Sequence, residues 1–361
     1  MQSSNMMMED RIWMERVLQL AALGLGKVQP NPMVGCVIVH DNRIIGEGWH
    51  TQYGAPHAEV MAIRSVKDQS LLKKATLYVN LEPCSHHGQT PPCADLIIQH
   101  QIPRVVIANR DPNPRVNGRG IARMRDAGIE VITGLLEEEG LELNKRFFTF
   151  HLLHRPYFIL KWAETKNGMM DIVRSGKPEE YWITNKVLRV LSHKLRQEEQ
   201  AIAIGYNTLI NDEPQLTNRL YGTLQPYRFV FTRDLARTAP NPFTIIPDKK
   251  EQFIYEFNLR KIQSVIIEGG KKTLEYFIAE QLWDEILVFI GDQEWEEGVA
   301  APNRDTLPPP LDFKFIINNK IIHYQRNNEL KSRYFEYVKT TSKQLQNDRS
   351  GCGRSLPGEG K

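Results

Sequence analysis

The sequence predicts two successive α/β domains. Its 361 residues, 41% of them hydrophobic, suffice for two domains that each bury a core without disulfides. Short apolar, β-branched runs alternate with runs of helical periodicity through both halves, as strands and helices do in α/β folds. His154-Arg155-Pro156 marks the joint, because a residue before proline avoids the helical region. We predict domains at 1–154 and 155–340 and, from its polar composition, a disordered tail at 341–361.

The first half begins with a predicted helix and a predicted β-hairpin. Apolar residues recur at helical spacing over 10–25, and Pro30 and Pro32 end that helix. Two apolar strands at 35–39 and 43–46 flank Asp41-Asn42, a pair that favours a turn. The remaining predicted elements are helices at 58–66, 93–100, 120–127 and, as one long element, 135–153, with strands at 76–80, 104–109 and 129–133.

The second half repeats the alternation of strands and helices. We predict strands at 157–162, 201–205, 228–232 and 264–268 and a helix at 184–199. The last of these strands is followed by Gly269-Gly270, which lets backbone N–H groups at a helix start approach a pyrophosphate. A plain tight turn has the same two glycines, so both interpretations stay open at this point.

Charge and cysteine content narrow the class of function. The 46 Lys and Arg residues balance 43 Asp and Glu residues, and no basic run is typical of nucleic-acid or membrane binding. No apolar stretch approaches the roughly 20 residues that span a bilayer. The four cysteines are too few for a secreted disulfide scaffold, and Cys352 has no assigned role. We expect a cytoplasmic protein with reduced thiols that acts on a small molecule.

His57, Cys84 and Cys93 have the pattern of a catalytic zinc site. They lie at or near the starts of two predicted helices, where the helix dipole favours a thiolate. Three such ligands leave a fourth position for a water whose pKa the metal lowers toward roughly 7. Glu59, two residues after the histidine, can face that water without binding the metal. We predict one Zn²⁺ per chain at these three residues, with Glu59 as the catalytic proton shuttle.

Other interpretations of these residues stay open. Single histidines and cysteines also occur on surfaces and in cores with no metal. A zinc-stapled binding module is disfavoured, because structural zinc normally has four protein ligands. Nucleobase deaminases place two residues between their cysteines, whereas 85–92 separate Cys84 from Cys93. That spacing disfavours a tRNA or nucleoside deaminase with an unrelated second domain.

The first half resembles the bifunctional deaminase/reductase family of riboflavin biosynthesis. The matching motifs are Pro30-Asn31-Pro32-Met33-Val34-Gly35, Gly48-Trp49-His50, His57-Ala58-Glu59, Glu82-Pro83-Cys84-Ser85-His86-His87-Gly88, Thr90-Pro91-Pro92-Cys93 and Asp111-Pro112-Asn113-Pro114. The resemblance implies a cytidine-deaminase-like three-layer α/β/α domain. It also implies that Asn31, His50 and the loop from His86 to Gln89 bind a phosphoribosylaminopyrimidine, although Gln89 replaces the usual Lys or Arg.

The second half resembles the dihydrofolate-reductase-like α/β domain of the same family. The matching motifs are Leu160-Lys161-Trp162-Ala163, Trp182-Ile183-Thr184, Leu195-Arg196, Asp212-Glu213-Pro214, Leu216-Thr217 and Glu268-Gly269-Gly270. The resemblance implies NADPH contacts at Ala163, Trp182, Thr208, Asp212, Gly270, Lys271, Lys272, Thr273, Leu274, Glu275 and Tyr276. It implies substrate contacts at Lys161, Arg196, Leu216, Arg219 and Glu268.

Three stretches of the second half depart from that family pattern. Asn167-Gly168 replaces the usual Asp-Gly, the stretch 169–181 is longer, and 291–295 replaces a proline-containing turn. A zinc-dependent deaminase with a weak or inactive reductase half is therefore an alternative.

The resemblance as a whole implies two consecutive reactions. Zinc-dependent hydrolytic deamination of 2,5-diamino-6-(5-phosphoribosylamino)pyrimidin-4(3H)-one is expected first. NADPH-dependent reduction of the ribosyl group of 5-amino-6-(5-phosphoribosylamino)uracil to ribityl is expected second. We thus expect a homo-oligomeric hydrolase and oxidoreductase that binds neither nucleic acid nor membranes.

Overall fold

The fold is given by a computed structural model that describes residues 2–85, 91–172, 181–326 and 328–351. Its chain divides into two units, Met1–Leu153 with Glu329–Lys361, and His154–Asn328. The joint between the units lies one residue before the predicted end of the first domain. Among the described residues, no helix combines the length and the apolar character needed to cross a membrane.

A five-stranded sheet forms the centre of the first unit. Strand β1 pairs antiparallel with β2 and β3, whereas β3, β4 and β5 run parallel, in the order β2-β1-β3-β4-β5. The carboxyl ends of β3, β4 and β5 therefore lie at the same edge of the sheet. The strands are β1 (Gly35–His40), β2 (Arg43–Trp49), β3 (Thr76–Leu81), β4 (Arg104–Asn109) and β5 (Glu130–Thr133).

Helices cover both faces of this sheet. Because successive residues of a strand point to opposite faces, Cys36 and Ile38 pack against one helix layer while Val37 and Val39 pack against α1. The predicted three-layer α/β/α architecture is confirmed. The helices are α1 (Gln2–Ala22), α2 (Ala58–Ser65), α3 (Cys93–Gln99), α4 (Arg119–Asp126), α5 (Glu137–Leu143) and α6 (Lys145–Leu153), with a 3-10 helix at Gln69–Lys74.

The prediction of one long helix over 135–153 is wrong. Helices α5 and α6 are separated at Asn144, whose side chain is occupied by a distant segment of backbone. Asn144 Oδ1 accepts the Met33 N–H at 2.8 Å, and Asn144 Nδ2 donates to the Met33 carbonyl at 2.9 Å. A contact between residues so far apart in sequence leaves no local periodic signal.

The C-terminal helix α11 (Asn328–Gly351) belongs to the first unit. Leu330 and Tyr334 are buried and Val338 packs beside them, so one face of the helix carries apolar residues at every fourth position. The helix extends past the predicted domain end at 340 and the predicted start of a disordered tail at 341. Residues 352–361, with Cys352, lie outside the described residues.

An eight-stranded sheet forms the centre of the second unit, in the order β10-β9-β8-β11-β6-β12-β15-β14. The first six strands in that order are parallel, β15 is antiparallel to β12, and β14 is antiparallel to β15. A small ribbon pairs β7 (Met169–Asp171) with β13 (Val299–Ala300). The strands are β6 (Tyr157–Glu164), β8 (Ala201–Gly205), β9 (Tyr227–Thr232), β10 (Phe243–Pro247), β11 (Ser264–Ile267), β12 (Glu285–Ile290), β14 (Asp312–Ile316) and β15 (Asn319–Gln325).

Four helices accompany the sheet of the second unit. Phe158 on the sheet meets Phe253, Phe257 and Phe277 at ring-centroid distances of 5.3–6.3 Å, mostly edge to face, which suits the aromatic quadrupole. The predicted α/β architecture of the second domain is confirmed. The helices are α7 (Lys186–Glu198), α8 (Tyr206–Asp212), α9 (Lys250–Leu259) and α10 (Lys271–Ala279).

We expect Asn80→Ala to destabilise the first unit. Buried Asn80 accepts the Gly35 N–H at Oδ1 (2.8 Å) and donates from Nδ2 to the Met33 carbonyl (2.9 Å). Alanine leaves the Gly35 N–H unsatisfied away from water, which costs about 1–3 kcal/mol. Urea unfolding measures the change in the free energy of unfolding. The exposed Asn211→Ala is the control, and equal stability of both variants would contradict the argument.

Candidate active sites

Three predicted metal ligands converge beside α2 and α3. His57 immediately precedes α2, Cys93 begins α3, and Cys84 follows β3, so the sheet edge and two helix starts define the site. His57 Nδ1 lies 3.3 Å from Cys93 Sγ and 3.7 Å from Cys84 Sγ, and all three ligand atoms lie within 4.8 Å of one another. One imidazole nitrogen and two sulfurs at this spacing fit a zinc ion with an open fourth position.

The electrostatics of this group suit metal binding and proton transfer. A hydrogen bond with Cys93 and the nearby His57 lower the pKa of the Cys84 thiol below its usual range, which favours the thiolate. Glu59 is buried in the first turn of α2, next to Cys93. Burial raises the pKa of Glu59 above its usual range.

Glu82 fixes the segment that carries Cys84, a role that the sequence did not indicate. Its buried carboxylate accepts backbone N–H groups at 3.0–3.4 Å. The donors are Asp111, Gly118, Gly120 and Ile121. The only sequence signal was its place in the Glu82-Pro83-Cys84 motif.

The predicted substrate residues Asn31 and His50 lie next to the metal ligands. Asn31 Nδ2 is 3.1 Å from His50 Nε2, and the His50 ring is 5.8 Å from the His57 ring, measured between centroids. Burial lowers the pKa of His50, so the ring is neutral and offers one donor and one acceptor nitrogen. The loop predictions at 86–89 lie outside the described residues.

A cleft of about 1260 Å³ lies at the carboxyl edge of the parallel strands in the second unit. Ligands bind at such an edge in open α/β sheets. Gly205 and Gly270, the residues before α8 and α10, both line the cleft. Thr208 Oγ1 accepts the Gly270 N–H at 3.1 Å and joins the two helix starts.

Most of the predicted NADPH residues line this cleft, and three do not. Leu274 is fully buried in the hydrophobic core, because its position on α10 faces the sheet. Trp182 instead stacks on Arg189, with 3.6 Å from the guanidinium carbon to the ring centroid, and Glu275 pairs with Lys271 at 3.7 Å. The cleft-lining residues are Ala163, Thr208, Asp212, Gly270, Lys271, Lys272, Thr273 and Tyr276.

The cleft also has lining residues that the sequence did not indicate. They follow the carboxyl ends of β9 and β10, where a parallel sheet places ligand contacts. Their position directly after a strand was the signal in the sequence that could have identified them as cleft residues. The basic members of this group are Arg233, Arg237 and Lys249.

Two cations surround the predicted substrate residue Glu268. Arg196 Nη2 lies 2.9 Å from Glu268 Oε2, and Lys161 Nζ lies 3.4 Å from Oε1. Burial alone would raise the pKa of Glu268, but the two cations lower it to about 2. The carboxylate is therefore ionised at neutral pH and lines the cleft together with Lys161.

Arg219 and Leu216, two further predicted substrate residues, have different surroundings. The backbone N–H of Arg219 donates to His193 Nδ1 at 3.0 Å. Burial, and after it the charges of Arg196 and Arg219, lower the pKa of His193 to about 4. Leu216 is buried in a hydrophobic cluster with Ile204. Its side chain packs in the core, and its contact with the substrate stays a prediction.

Comparison with known proteins accounts for both halves. Residues 7–109 match the cytidine and deoxycytidylate deaminase zinc-binding region, and residues 156–292 match the RibD C-terminal domain. The riboflavin biosynthesis protein RibD of Aquifex aeolicus is 39% identical over an alignment of 322 residues, and the match covers 81% of this chain and 89% of that protein. RibD of Escherichia coli is 45% identical over an alignment of 355 residues, and the match covers 85% of this chain and 95% of that protein. This chain belongs to the RibD family.

A solved structure from Thermotoga maritima supports the same assignment. That protein is a diaminohydroxyphosphoribosylaminopyrimidine deaminase/5-amino-6-(5-phosphoribosylamino)uracil reductase, with 34% identity and a TM-score of 0.78. The match covers 88% of this chain and 99% of that one. This RibD-family chain is therefore a bifunctional enzyme of riboflavin biosynthesis, with a zinc-dependent deaminase domain and an NADPH-dependent reductase domain. The alternative of a tRNA or nucleoside deaminase with an unrelated second domain is wrong.

Two of the departures from the RibD family pattern contact each other. Asn167 Nδ2 donates to the Trp295 carbonyl at 2.8 Å, and Asn167 Oδ1 accepts the Trp295 N–H at 3.3 Å. An aspartate at this position has no N–H to offer the carbonyl. The amide at 167 and the altered turn at 291–295 thus form a matched pair. Part of the third departure, residues 173–180, lies outside the described residues.

We expect His193 to make the stability of the second unit depend on pH. The pKa of His193 is about 4 in the folded unit, against about 6.5 for an unfolded histidine. The unfolded chain therefore binds more protons between these values, and stability falls as pH falls from about 6.5 to 4. His193→Asn keeps an acceptor for the Arg219 N–H but does not titrate, so it lacks this contribution.

Urea unfolding at a series of pH values tests this expectation. The difference in the free energy of unfolding between wild type and His193→Asn should be constant from pH 7 to 8. As the pH is lowered to about 4.5, the wild type should lose stability relative to His193→Asn. A difference that stays constant over the whole range would show that His193 titrates normally.

Proposed function

We propose that the first unit deaminates 2,5-diamino-6-(5-phosphoribosylamino)pyrimidin-4(3H)-one and that the second reduces the ribosyl group of 5-amino-6-(5-phosphoribosylamino)uracil to ribityl. The observation that carries the first reaction is the convergence of His57, Cys84 and Cys93 around a space beside buried Glu59. The second reaction is supported by the cleft that holds Glu268 beside two helix starts. The substrates named for the Thermotoga relative agree with both reactions.

In the deaminase, His57 Nδ1 and the sulfurs of Cys84 and Cys93 would hold the zinc. When bound, zinc supplies a Lewis acid that activates a water for attack on the amino-bearing ring carbon. Glu59 takes a proton at its carboxylate and returns it to the departing ammonia. Asn31 and His50, hydrogen-bonded to each other, orient the pyrimidine. The water oxygen forms a bond to the ring carbon, the bond from that carbon to the amino nitrogen breaks, and the amino group leaves as ammonia with a proton from the water.

In the reductase, the cleft would bind NADPH, which supplies the hydride. The backbone N–H groups at the start of α10 suit the pyrophosphate, and Lys271 and Lys272 add positive charge there. Glu268, kept ionised by Lys161 and Arg196, can accept hydrogen bonds from ribosyl hydroxyl groups. Arg196 and Arg219 are the candidate phosphate contacts, because guanidinium binds phosphate in a bidentate manner.

Three further points stay predictions. A homo-oligomer and a cytoplasmic location rest on the sequence argument. An active reductase is favoured over a weak one, because the paired change at Asn167 and Trp295 keeps a hydrogen-bonded turn.

We expect the purified protein to bind about one zinc per chain. Cys84→Ser should bind much less, since a serine hydroxyl is a poor zinc ligand beside a thiolate. Elemental analysis measures the ratio. Cys36→Ala, which alters a buried cysteine outside the ligand group, should keep its zinc. Full zinc occupancy in Cys84→Ser would mean that the ligand assignment is mistaken.

A pair of variants should separate the two activities. Glu59→Gln cannot carry protons, so deamination should fall by about 10²–10⁴-fold, while zinc content and reduction persist. Glu268→Gln leaves Lys161 and Arg196 without their anionic partner, so reduction should fall by about 10- to 100-fold, while deamination persists.

Each variant is the control for the other in this experiment. Ammonia release from the diaminopyrimidinone and NADPH oxidation with the uracil substrate are followed separately on both proteins. Equal loss of both activities in either variant would indicate a defect of folding, and near wild-type deamination by Glu59→Gln would remove Glu59 from the mechanism.

A further inference from the structure

The C-terminal helix α11 packs on the deaminase unit although it follows the entire reductase unit in sequence. Tyr334 is fully buried, and its ring meets the ring of Phe148 on α6 edge to face at 5.2 Å. Leu330 joins the same cluster, together with Leu81 at the end of β3. The helix therefore reaches the strand end from which the Cys84 segment departs.

Two tyrosine hydroxyls of α11 hold the loop that follows β4. Tyr334 Oη accepts the Arg110 N–H at 3.1 Å and donates to Glu137 Oε1 at 2.9 Å. Tyr337 Oη donates to the Asp111 carbonyl at 2.6 Å and lies 3.1 Å from Asn117 Oδ1. The loop is thus held at its beginning and at its end by one helix.

This loop is also what holds Glu82. The N–H groups of Asp111 and Gly118 donate to Glu82 Oε2 at 3.4 and 3.1 Å, and the Gly120 N–H donates to Oε1 at 3.0 Å. A Cβ atom at Gly120 would lie only 2.2 Å from the Pro83 carbonyl oxygen, so the loop and the segment before Cys84 are in close contact. A shift of the loop would move Cys84.

We propose that Tyr334 and Tyr337 are positioning residues of the deaminase, which set the place of Cys84 through Glu82 and the segment 110–121, the loop after β4 with the first residues of α4. The inference rests on the proposed role of Cys84 as a zinc ligand. Residues that orient a metal ligand without touching the metal commonly change metal affinity by about 10- to 100-fold. The deaminase therefore depends on a segment encoded after the reductase.

The test compares full-length Tyr334→Phe/Tyr337→Phe with wild type. Phenylalanine keeps the packing and removes only the two hydroxyls. In metal-free protein, amide hydrogen exchange of 110–121 should become faster, while β3 and β4 stay protected. Zinc affinity, measured by chelator competition, should fall by about tenfold. At saturating zinc, kcat for deamination should fall with KM kept, and reduction should be unchanged.

Tyr255→Phe is the matched control, because Tyr255 is 64% exposed and lies on the second unit. It should behave as wild type in every measurement. Wild-type exchange at 110–121 together with wild-type zinc affinity in the double variant would overturn the proposal. Faster exchange throughout the first unit would also overturn it, since that result indicates general packing. A wild-type protein without zinc or deaminase activity would instead contradict the proposed function. The hydrogen-exchange result would still show whether Tyr334 and Tyr337 hold the segment 110–121 in place.

Discussion

A carboxylate removed from water has to be compensated by hydrogen-bond donors or by opposite charge, and both candidate sites depend on this constraint. In the first unit, Glu82 is compensated by backbone N–H groups of the loop after β4. In the second, Glu268 is compensated by Arg196 and Lys161. Without these partners either carboxyl group would be buried uncompensated, and the backbone or side chains around it would lose their fixed places.

The two forms of compensation suit different tasks. Backbone N–H groups do not titrate and cannot change rotamer, so the bonds to Glu82 give Cys84 a fixed place whatever the substrate does. The side chains of Arg196 and Lys161 can turn toward a substrate phosphate or hydroxyl while they remain near Glu268. A rigid arrangement fits a metal site that needs fixed ligand geometry, and an adaptable one fits the binding of a flexible ribosyl phosphate.

The sequence predicted what local patterns encode and missed what distant contacts impose. The spacing of His57, Cys84 and Cys93 was sufficient to predict the metal group, because each residue lies at a strand end or helix start. Leu274 was assigned to the cofactor as part of a continuous segment, but helical geometry turns it toward the core. The break at Asn144 depends on Met33, more than a hundred residues away in sequence.

The topology explains why unrelated chemistries appear at equivalent places in the two units. Cys84 follows the carboxyl end of β3, and Glu268 follows the carboxyl end of β11, each in a run of parallel strands. At that edge the strands stop and the chain turns into helices, whose first N–H groups have no partner within the helix. Those free donors attract thiolates at the start of α3 and suit a phosphate at the start of α10. The same backbone feature therefore suits thiolates in one unit and a phosphate in the other, although the side chains that follow each strand differ.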